Sequence, residues 1–399
     1  MILLRLIVIF GWVFLWAAEP DALYLTWVDD PTTTMTVVWH GEASRVMYHP
    51  LGDARWMSVS GAPHGVAETS VKVYVSQIEG LKSDSVYVFK VEGSRREFRF
   101  RTLPKKLSRE VRFVVGGDIY YYWGSETLDR MNRAIAYDDP DFVVMGGDLA
   151  YTTGTGRARK GRQREVERWQ EFFRVMQKTM IGKDGRMIPM VPVVGNHDVH
   201  RMSMKRSCPD VFYEVFPFPQ KSVAYRNLQI GNYLSLVLLD SGHTSPIEGE
   251  QTEWLQSVLE GDKMPFVFSV YHVGAYPSVY KYKGSIPELL RRAWVPLFEE
   301  AQICGAFEHH SHALKRTFPI KGGQVDPDGV IYFGDGSWGV PPRNVHAPEE
   351  LWYLAMSASV NACWFVHLTN KGATIEARTP TGDIKDRLVI APRLVGAKL

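Results

Sequence analysis

Five short motifs follow one another along this chain and bring carboxylate, amide and imidazole groups into one ordered set: Gly117-Asp118, Gly147-Asp148, Gly195-Asn196-His197-Asp198, His272 and His310-Ser311-His312. Taken singly, each has an ordinary explanation. An Asp after a strand is often a helix cap, and a lone His is usually a satisfied core or surface residue. Taken in order, they are a donor set for a pair of hard cations. A glycine before each Asp lets the backbone turn sharply off a strand, so that the carboxylate projects over the sheet edge. A carboxylate can bridge two ions about 3.5 to 4 Å apart. Asp148, lying between Asp118 and Asn196, is the better bridge. Tyr151 offers a phenolate, a hard anionic donor suited to Fe(III), although a buried tyrosine is more often a core residue. Asn196 adds a neutral amide oxygen, and the spacing of His310 and His312 lets two imidazoles on a loop reach different ions. Such a cation pair acidifies water and neutralises phosphoryl charge, which is the chemistry of phosphoric ester hydrolysis. No protein nucleophile is needed. His197, beside Asn196, is the candidate to hydrogen-bond the phosphoryl group or to protonate the leaving oxygen.

Strands must deliver these groups. Residues 111–115 are, Arg112 aside, an apolar and mostly β-branched run, as expected for a strand covered on both faces, and they end at Gly116-Gly117-Asp118. An amphipathic helix follows from Glu126, with Leu128, Met131 and Ile135 on one stripe. A second apolar strand at 142–145 ends the same way, at Gly146-Gly147-Asp148. Val166, Trp169, Phe172, Phe173 and Met176 mark another helix, and residues 188–194 form the strand that delivers Asn196 and His197. Alternating strands and helices predict a parallel sheet whose ligands lie beyond the carboxyl ends of the strands. Further strands are predicted at 233–239, 266–271, 303–307, 330–333 and 364–368, with helices at 252–259 and 286–300. Upstream the pattern is different. Short strands separated by turns at 23–28, 35–40, 45–48, 71–75, 87–92 and 97–101 read as an immunoglobulin-type β-sandwich, most clearly in Phe98-Arg99-Phe100-Arg101.

The chain has 399 residues, 45% hydrophobic and 23% charged, with a formal net charge of +2. Those values fit a globular protein of about two or three domains. They call for no polyanionic partner and give no sign of a nucleic-acid-binding module. Residues 1–18 carry one cation, Arg5, then an apolar run and the small residues Ala17 and Ala18, the layout of a secretory signal peptide. Bulky Trp16 near the cleavage position leaves an uncleaved anchor as the alternative. No later segment has the roughly 18–20 apolar residues a membrane span requires. The expected location is secreted or periplasmic. Cys208, Cys304 and Cys363 are odd in number and lack CxxC spacing, so at most one disulfide forms, its pairing is open, and a thiolate metal site is disfavoured.

Gly147-Asp148-Leu149-Ala150-Tyr151, Gly195-Asn196-His197-Asp198, His272 and His310-Ser311-His312 resemble the signature of the purple acid phosphatases within the calcineurin-like metallophosphoesterases. The tyrosine is the specific part, and Leu239-Asp240-Ser241 and Arg316-Thr317 fit the same pattern. The resemblance implies an N-terminal fibronectin type III-like all-β sandwich, residues 20–104, and an α/β four-layer metallophosphoesterase domain of two sheets flanked by helices, residues 105–392. It further implies one ion held by Asp118, Asp148, Tyr151 and His312, and a second held by Asp148, Asn196, His272 and His310. Fe(III) is implied for the first, and Zn(II), Fe(II) or Mn(II) for the second. The chain departs from the pattern at Tyr120, where the family prefers Gly, and at His309, which replaces the Gly before the last His pair. Their bulk is expected to narrow the pocket or add a substrate contact. A further histidine that some members carry after His272 is missing, and Tyr276 and His243 are the candidates to stand in for it.

The implied activity is hydrolysis of phosphate monoesters by attack of metal-bound hydroxide, as in an acid phosphatase. Asn196, His197, His309, Tyr276 and His243 are the candidate substrate contacts, and the partner is a phosphorylated small molecule or a phosphoprotein. Two alternatives use the same residues differently. One is a phosphodiesterase or nucleotidase, and the other a secreted binding protein in which the metal domain is only a scaffold. Arg157, Arg159, Lys160, Arg162, Arg164 and Arg168 crowd the stretch after Tyr151 and read either as an electrostatic guide for anions or as a solvated loop entering a helix.

Overall fold

The computed structural model describes residues 19–120, 126–153, 161–200, 210–220 and 223–393. The proposed signal segment, Arg157, Arg159, Lys160 and Cys208 lie outside the described residues.

The N-terminal strands are Ala22–Thr26 (β1), Met35–His40 (β2), Arg45–Pro50 (β3), Met57–Ser60 (β4), Ala62–Gly65 (β5), Lys72–Ile78 (β6), Val86–Val91 (β7) and Phe98–Arg101 (β8). They pair antiparallel in two four-stranded sheets, in the orders β1-β2-β6-β5 and β4-β3-β7-β8. Alternation decides what goes inside. Leu23 and Leu25 of β1 share one core with Phe89, Phe98 and Phe100, while Arg99 is exposed. β4 and β5 were not foreseen from sequence, because MSVS and APHG are short, mostly exposed and carry few large apolar residues.

After β8 come Val111–Gly116 (β9), Glu126–Asp138 (α1), Phe142–Met145 (β10), Arg162–Thr179 (α2), Met190–Pro192 (β11), Val211–Val215 (α3), Arg226–Ile230 (β12), Leu234–Leu238 (β13), Glu250–Gly261 (α4), Phe266–Val273 (β14), Ser285–Ala293 (α5) and Val295–Glu300 (α6). Then follow Gly305–His309 (β15), Leu314–Thr317 (β16), Ile320–Lys321 (β17), Gln324–Val325 (β18), Tyr332–Asp335 (β19), Leu354–Ala358 (β20), Cys363–Thr369 (β21), Gly372–Arg378 (β22) and Ile384–Ile390 (β23). The expected helix at 286–300 is two helices. Pro296, one residue into α6, has no N–H to continue the α5 ladder.

One sheet has the order β11-β10-β9-β21-β22-β23 with β9, β10 and β11 parallel. The other has the order β12-β13-β14-β15-β19-β16-β20 with β13, β14, β15 and β19 parallel. The apolar strands alternate between two destinations. Phe113, Val115, Phe142 and Val144 join Phe268, Val270, Phe307 and Phe333 in the core between the sheets. Val114, Val143 and Met145 pack with Met131, Trp169 and Phe173 of α1 and α2. Val237, Val267 and Tyr271 pack with Leu255, Leu290 and Phe298 of α4, α5 and α6. Helix, sheet, sheet and helix therefore stack in four layers. Cys304 and Cys363 are both buried free thiols.

β1 and β2 are buried along their whole length because their second face meets the α/β unit. Tyr24 stacks on Phe173 of α2 with ring centroids 3.9 Å apart, and its hydroxyl donates to the Val215 carbonyl. His40 meets the same Phe173 edge-on at 5.6 Å. Burial, and then the nearby charge of Arg174, push His40 down from 6.5 to about 3. The unfolded chain takes up this proton below about pH 6.5, while the folded chain does so only near pH 3. His40 is therefore neutral in its effect above pH 6.5 and costs stability progressively as the pH falls toward 3. Replacing it, His40→Phe, should shrink the stability lost between pH 7 and pH 4.5 by about 2 kcal/mol. Urea unfolding at both pH values measures this, and an unchanged loss would refute it.

Candidate metal centre

Two loops run side by side off the ends of β9 and β10. Asp118 N–H donates to the Gly147 carbonyl at 2.9 Å, Ile119 N–H to Asp148 at 2.9 Å, and Tyr120 N–H to Leu149 at 3.0 Å. The ladder thus continues past the sheet and fixes the two carboxylates next to each other. Asp118 (φ +54°), Asp148 (φ +53°), Tyr151 (φ +50°), His310 (φ +65°) and His312 (φ +49°) all have left-handed backbone. Non-glycine residues hold that conformation only where the surroundings over-determine it, at about 1 kcal/mol or more each. Gly147 (φ +95°) has no alternative, since a Cβ there would lie 2.6 Å from His272 Nδ1.

The second sheet supplies the imidazoles. The pairing of β14 with β15 slips between Tyr271 and Val273, and this bulge frees His272 from the register. His310 and His312 sit in the tight turn between β15 and β16. The donors from the two sheets then meet. Tyr151 Oη lies 3.0 Å from Asp118 Oδ1 and 3.1 Å from His312 Nε2, and His312 Nε2 lies 2.9 Å from Asp118 Oδ1. Beside them, ligand atoms of Asp148, His272 and His310 all fall within 4.8 Å of one another, and Asn196 Oδ1 is 3.2 Å from His272 Nε2. Asp118, Tyr151 and His312 thus form one cluster, and Asp148, His272, His310 and Asn196 a second one beside it.

Burial by itself would raise the carboxylates, but imidazoles override it. His312, with His272 and His310, holds Asp118 far below the usual range, and His272 with His197 holds Asp148 below it. His272 is lowered by burial and raised more strongly by Asp148, ending at about 10. Burial, then the charges of Asp118 and Asp148, push the Tyr151 phenol well up, so it stays protonated until a cation takes its place as partner. His272 Nδ1 bonds the Gly146 carbonyl at 2.9 Å, which commits that nitrogen's proton and turns Nε2 toward Asp148. His197 Nδ1 is likewise committed to the Thr153 carbonyl at 2.7 Å, and its ring stacks on Tyr151 with centroids 4.8 Å apart.

Several residues that hold this arrangement were not singled out from sequence. Buried Asp198 accepts from Leu149 N–H at 2.7 Å and Ala150 N–H at 3.4 Å through Oδ1, and from Gly195 N–H at 2.9 Å through Oδ2. Its place in the Gly195-Asn196-His197-Asp198 turn was the available signal. Asp335 accepts from Gly117 N–H at 2.6 Å. Arg168 fits neither the anion guide nor the solvated loop offered for this stretch, because it points inward and donates to the Tyr120 and Ala150 carbonyls at 3.0 and 2.9 Å. Arg162 pairs with Glu214 in a buried ion pair, and Arg164 pairs with Glu167 at 3.0 Å along the partly exposed surface of α2.

A cleft of about 740 Å³ opens from the donors, lined by Asn196, His197, His243 and His310 at its inner end and by Val273, Pro277, Tyr280 and Ile286 farther out. His243 lies beside His272, ring centroids 5.5 Å apart, with Nε2 3.0 Å from Ser241 Oγ. Two expected substrate contacts do not reach the cleft. His309 is buried against Asp335, Nδ1 to Oδ1 2.9 Å, beneath Gly117 and Gly146. As the last residue of β15 it faces the sheet rather than the opening. Tyr276 is packed against Tyr332 and Tyr353 in the core under the helices. Tyr120 does not narrow the cleft either, because it is buried under the Arg168 guanidinium at 4.5 Å.

With the geometry in place, comparison with known proteins gives the class. Residues 111–302 match the family model described as calcineurin-like phosphoesterase. The fold is also that of solved metallophosphoesterases: the PPD1 purple acid phosphatase of yellow lupin superposes with a TM-score of 0.76 at 16% identity, covering 94% of this chain and 74% of that one. PhoD superposes with a TM-score of 0.67 at 11% identity, covering 95% and 94%. The chain carries a calcineurin-like phosphoesterase domain and is a hydrolase acting on phosphoric esters. Purple acid phosphatases are among its homologues. It is 25% identical over 334 residues to purple acid phosphatase 21 of Arabidopsis thaliana, covering 80% of this chain and 69% of that protein. It is 24% identical over 355 residues to purple acid phosphatase 18 of the same plant, covering 84% and 73%.

The family implies a dinuclear metal centre, and the residues present fit one. Asp148 Oδ2 is buried and makes no well-formed hydrogen bond; it faces His272 Nε2 at 3.3 Å across the space that the two share with His310. A buried carboxylate oxygen whose hydrogen bonding is incomplete is costly, and a cation shared with the imidazoles would complete it. Asp198→Asn would set an amide N–H against a backbone N–H and loosen both loops. The expected result is a 10- to 100-fold loss of metal affinity at roughly unchanged helix content, in line with losses of about that size for residues that orient metal ligands. Metal titration with circular dichroism measures it, and native affinity would overturn this role for Asp198.

Proposed function

We propose that this chain is a phosphatase of the purple acid type, hydrolysing phosphate monoesters at a dinuclear centre. The first ion is assigned to Asp118, Asp148, Tyr151 and His312, with Fe(III) preferred. The second is assigned to Asp148, Asn196, His272 and His310, with Zn(II), Fe(II) or Mn(II). The observation that carries the reading is the contact of Tyr151 Oη with Asp118 and His312, 3.0 and 3.1 Å, because it puts a phenol among the donors. The bound pair would supply acidified water and neutralise charge on the phosphoryl group. His197 lines the cleft with Nδ1 fixed on Thr153, which leaves Nε2, 4.0 Å from Asp148 Oδ2, to hold the proton that the leaving oxygen takes. The Asn196 side chain orients the phosphoryl oxygens from the same rim.

The sandwich order β1-β2-β6-β5 against β4-β3-β7-β8 supports the fibronectin type III-like assignment of residues 20–104, with the metallophosphoesterase domain at 105–392. Among the described residues no helix is long and apolar enough to cross a membrane. Export through the N-terminal segment remains part of the proposal.

The test is elemental analysis with the visible spectrum of the purified protein. Near-stoichiometric iron and a broad visible band that Tyr151→Phe abolishes are expected. Two divalent ions without colour would overturn the Fe(III) assignment. His197→Ala should lower kcat about 100-fold or more on an aryl phosphate while metal content holds. Faster turnover of a bis-aryl phosphate than of the aryl phosphate would replace the monoester reading by a diesterase.

A further inference from the structure

The outer cleft is built differently from its metal-facing end. Val273, Pro277, Tyr280, Ile286 and Pro287 give it apolar walls, and Lys281 is the one Lys or Arg among the described lining residues. Tyr280 is the exposed aromatic of this set, at 38% exposure, and it does not hang free. Its ring stacks on His310 with centroids 5.0 Å apart and planes 23° from parallel. Arg343 holds it there: Nη1 contacts the Tyr280 hydroxyl and donates to the His310 carbonyl at 3.1 Å, while Arg343 N–H donates to the His312 carbonyl at 2.8 Å. One arginine therefore grips both left-handed histidines of the donor turn and the aromatic wall beside them.

From this geometry we infer that Tyr280 is the platform for the leaving group, and that the site prefers phosphate monoesters whose leaving group is a flat aromatic or apolar ring. The inference rests on the phosphatase reading and adds the substrate class. A ring leaving the phosphoryl group beside His310 would meet the exposed side of Tyr280 and, in the same cleft, the side chains of Val273 and Ile286. Burying it removes apolar surface from water and adds aromatic contact. A substrate bearing many anionic groups finds a single lysine in the described lining to answer them. Arg343 is a positioning residue, acting through Tyr280 and through the backbone of His310 and His312.

The test uses the metal-loaded full chain and two unreactive probes, benzylphosphonate and methylphosphonate, whose dissociation constants are measured by calorimetry. The native protein should bind the benzyl probe about tenfold more tightly. Tyr280→Ala should lose most of that ratio, and Tyr280→Phe, which keeps the ring, should retain it. The kcat/KM ratio for 1-naphthyl phosphate over glycerol 2-phosphate should follow the same order. An equal ratio in native protein and Tyr280→Ala overturns the inference, as does a native protein that does not distinguish the probes. If the ring preference is present but no phosphate ester is hydrolysed, the phosphatase reading falls and the ring-binding site stands. Hydrolysis without ring preference gives the reverse.

Discussion

Two carboxylates placed side by side in the protein interior set the terms for everything around them. Asp118 and Asp148 are essentially inaccessible to solvent, and each disfavours the charge of the other. In a low-dielectric surrounding such a pair is tolerated only if positive charge lies close by. Imidazoles provide part of it, and Asp148 Oδ2, which faces His272 without a well-formed hydrogen bond, marks where more is called for. The same demand explains the backbone. Carboxylates aimed at one point from adjacent strands need the chain to leave both strands in left-handed turns, and those turns persist because three consecutive hydrogen bonds tie the loops together.

How far the sequence revealed this depended on what each residue's signal was. The strands before the Gly-Asp tips were legible because β10 is an unbroken apolar run and β9 is interrupted only by Arg112, as expected for strands with both faces covered. The donors were legible because their type and order are chemical facts that do not depend on orientation. Orientation was where the reading failed. His309 and Tyr276 sit within a few residues of true cleft residues, yet each points to the opposite side of its strand or loop, and one step in a strand reverses the face. Arg343 gave no signal at all. It lies more than 30 residues beyond His310 in a proline-containing loop, and only the folded chain returns it to that turn. The edge strands β4, β5 and β12 were missed because an edge strand with one solvated face needs few apolar residues.

The sandwich influences the centre without touching it. β1 packs on α2 through the Tyr24 and Phe173 stack, and α2 carries Arg168, whose guanidinium grips the Tyr120 and Ala150 carbonyls just beyond the two aspartates. Buttressing is therefore a definite chain of contacts, from sandwich to helix to loop backbone. Removing the sandwich would expose one face of α2 and leave its inward arginine on a helix held from the other side alone, by the sheet and the neighbouring helices.

The donors also divide by sheet. Asp118, Asp148, Tyr151 and Asn196 hang from the carboxyl ends of β9, β10 and β11, whereas His272, His310 and His312 come from β14 and the turn after β15. Each proposed ion would take ligands from both sheets, so the separation of the sheets fixes the site. That separation is set in the shared core by large rings, with Phe113 stacked on Phe142 at 5.1 Å and set edge-on to Phe268 at 6.3 Å. Interiors packed at this density do not deform continuously when a ring is removed. A cavity there would be felt as a shift of one half of the donor set against the other, which makes the aromatic core between the sheets part of the machinery that determines metal geometry even though none of its atoms is polar.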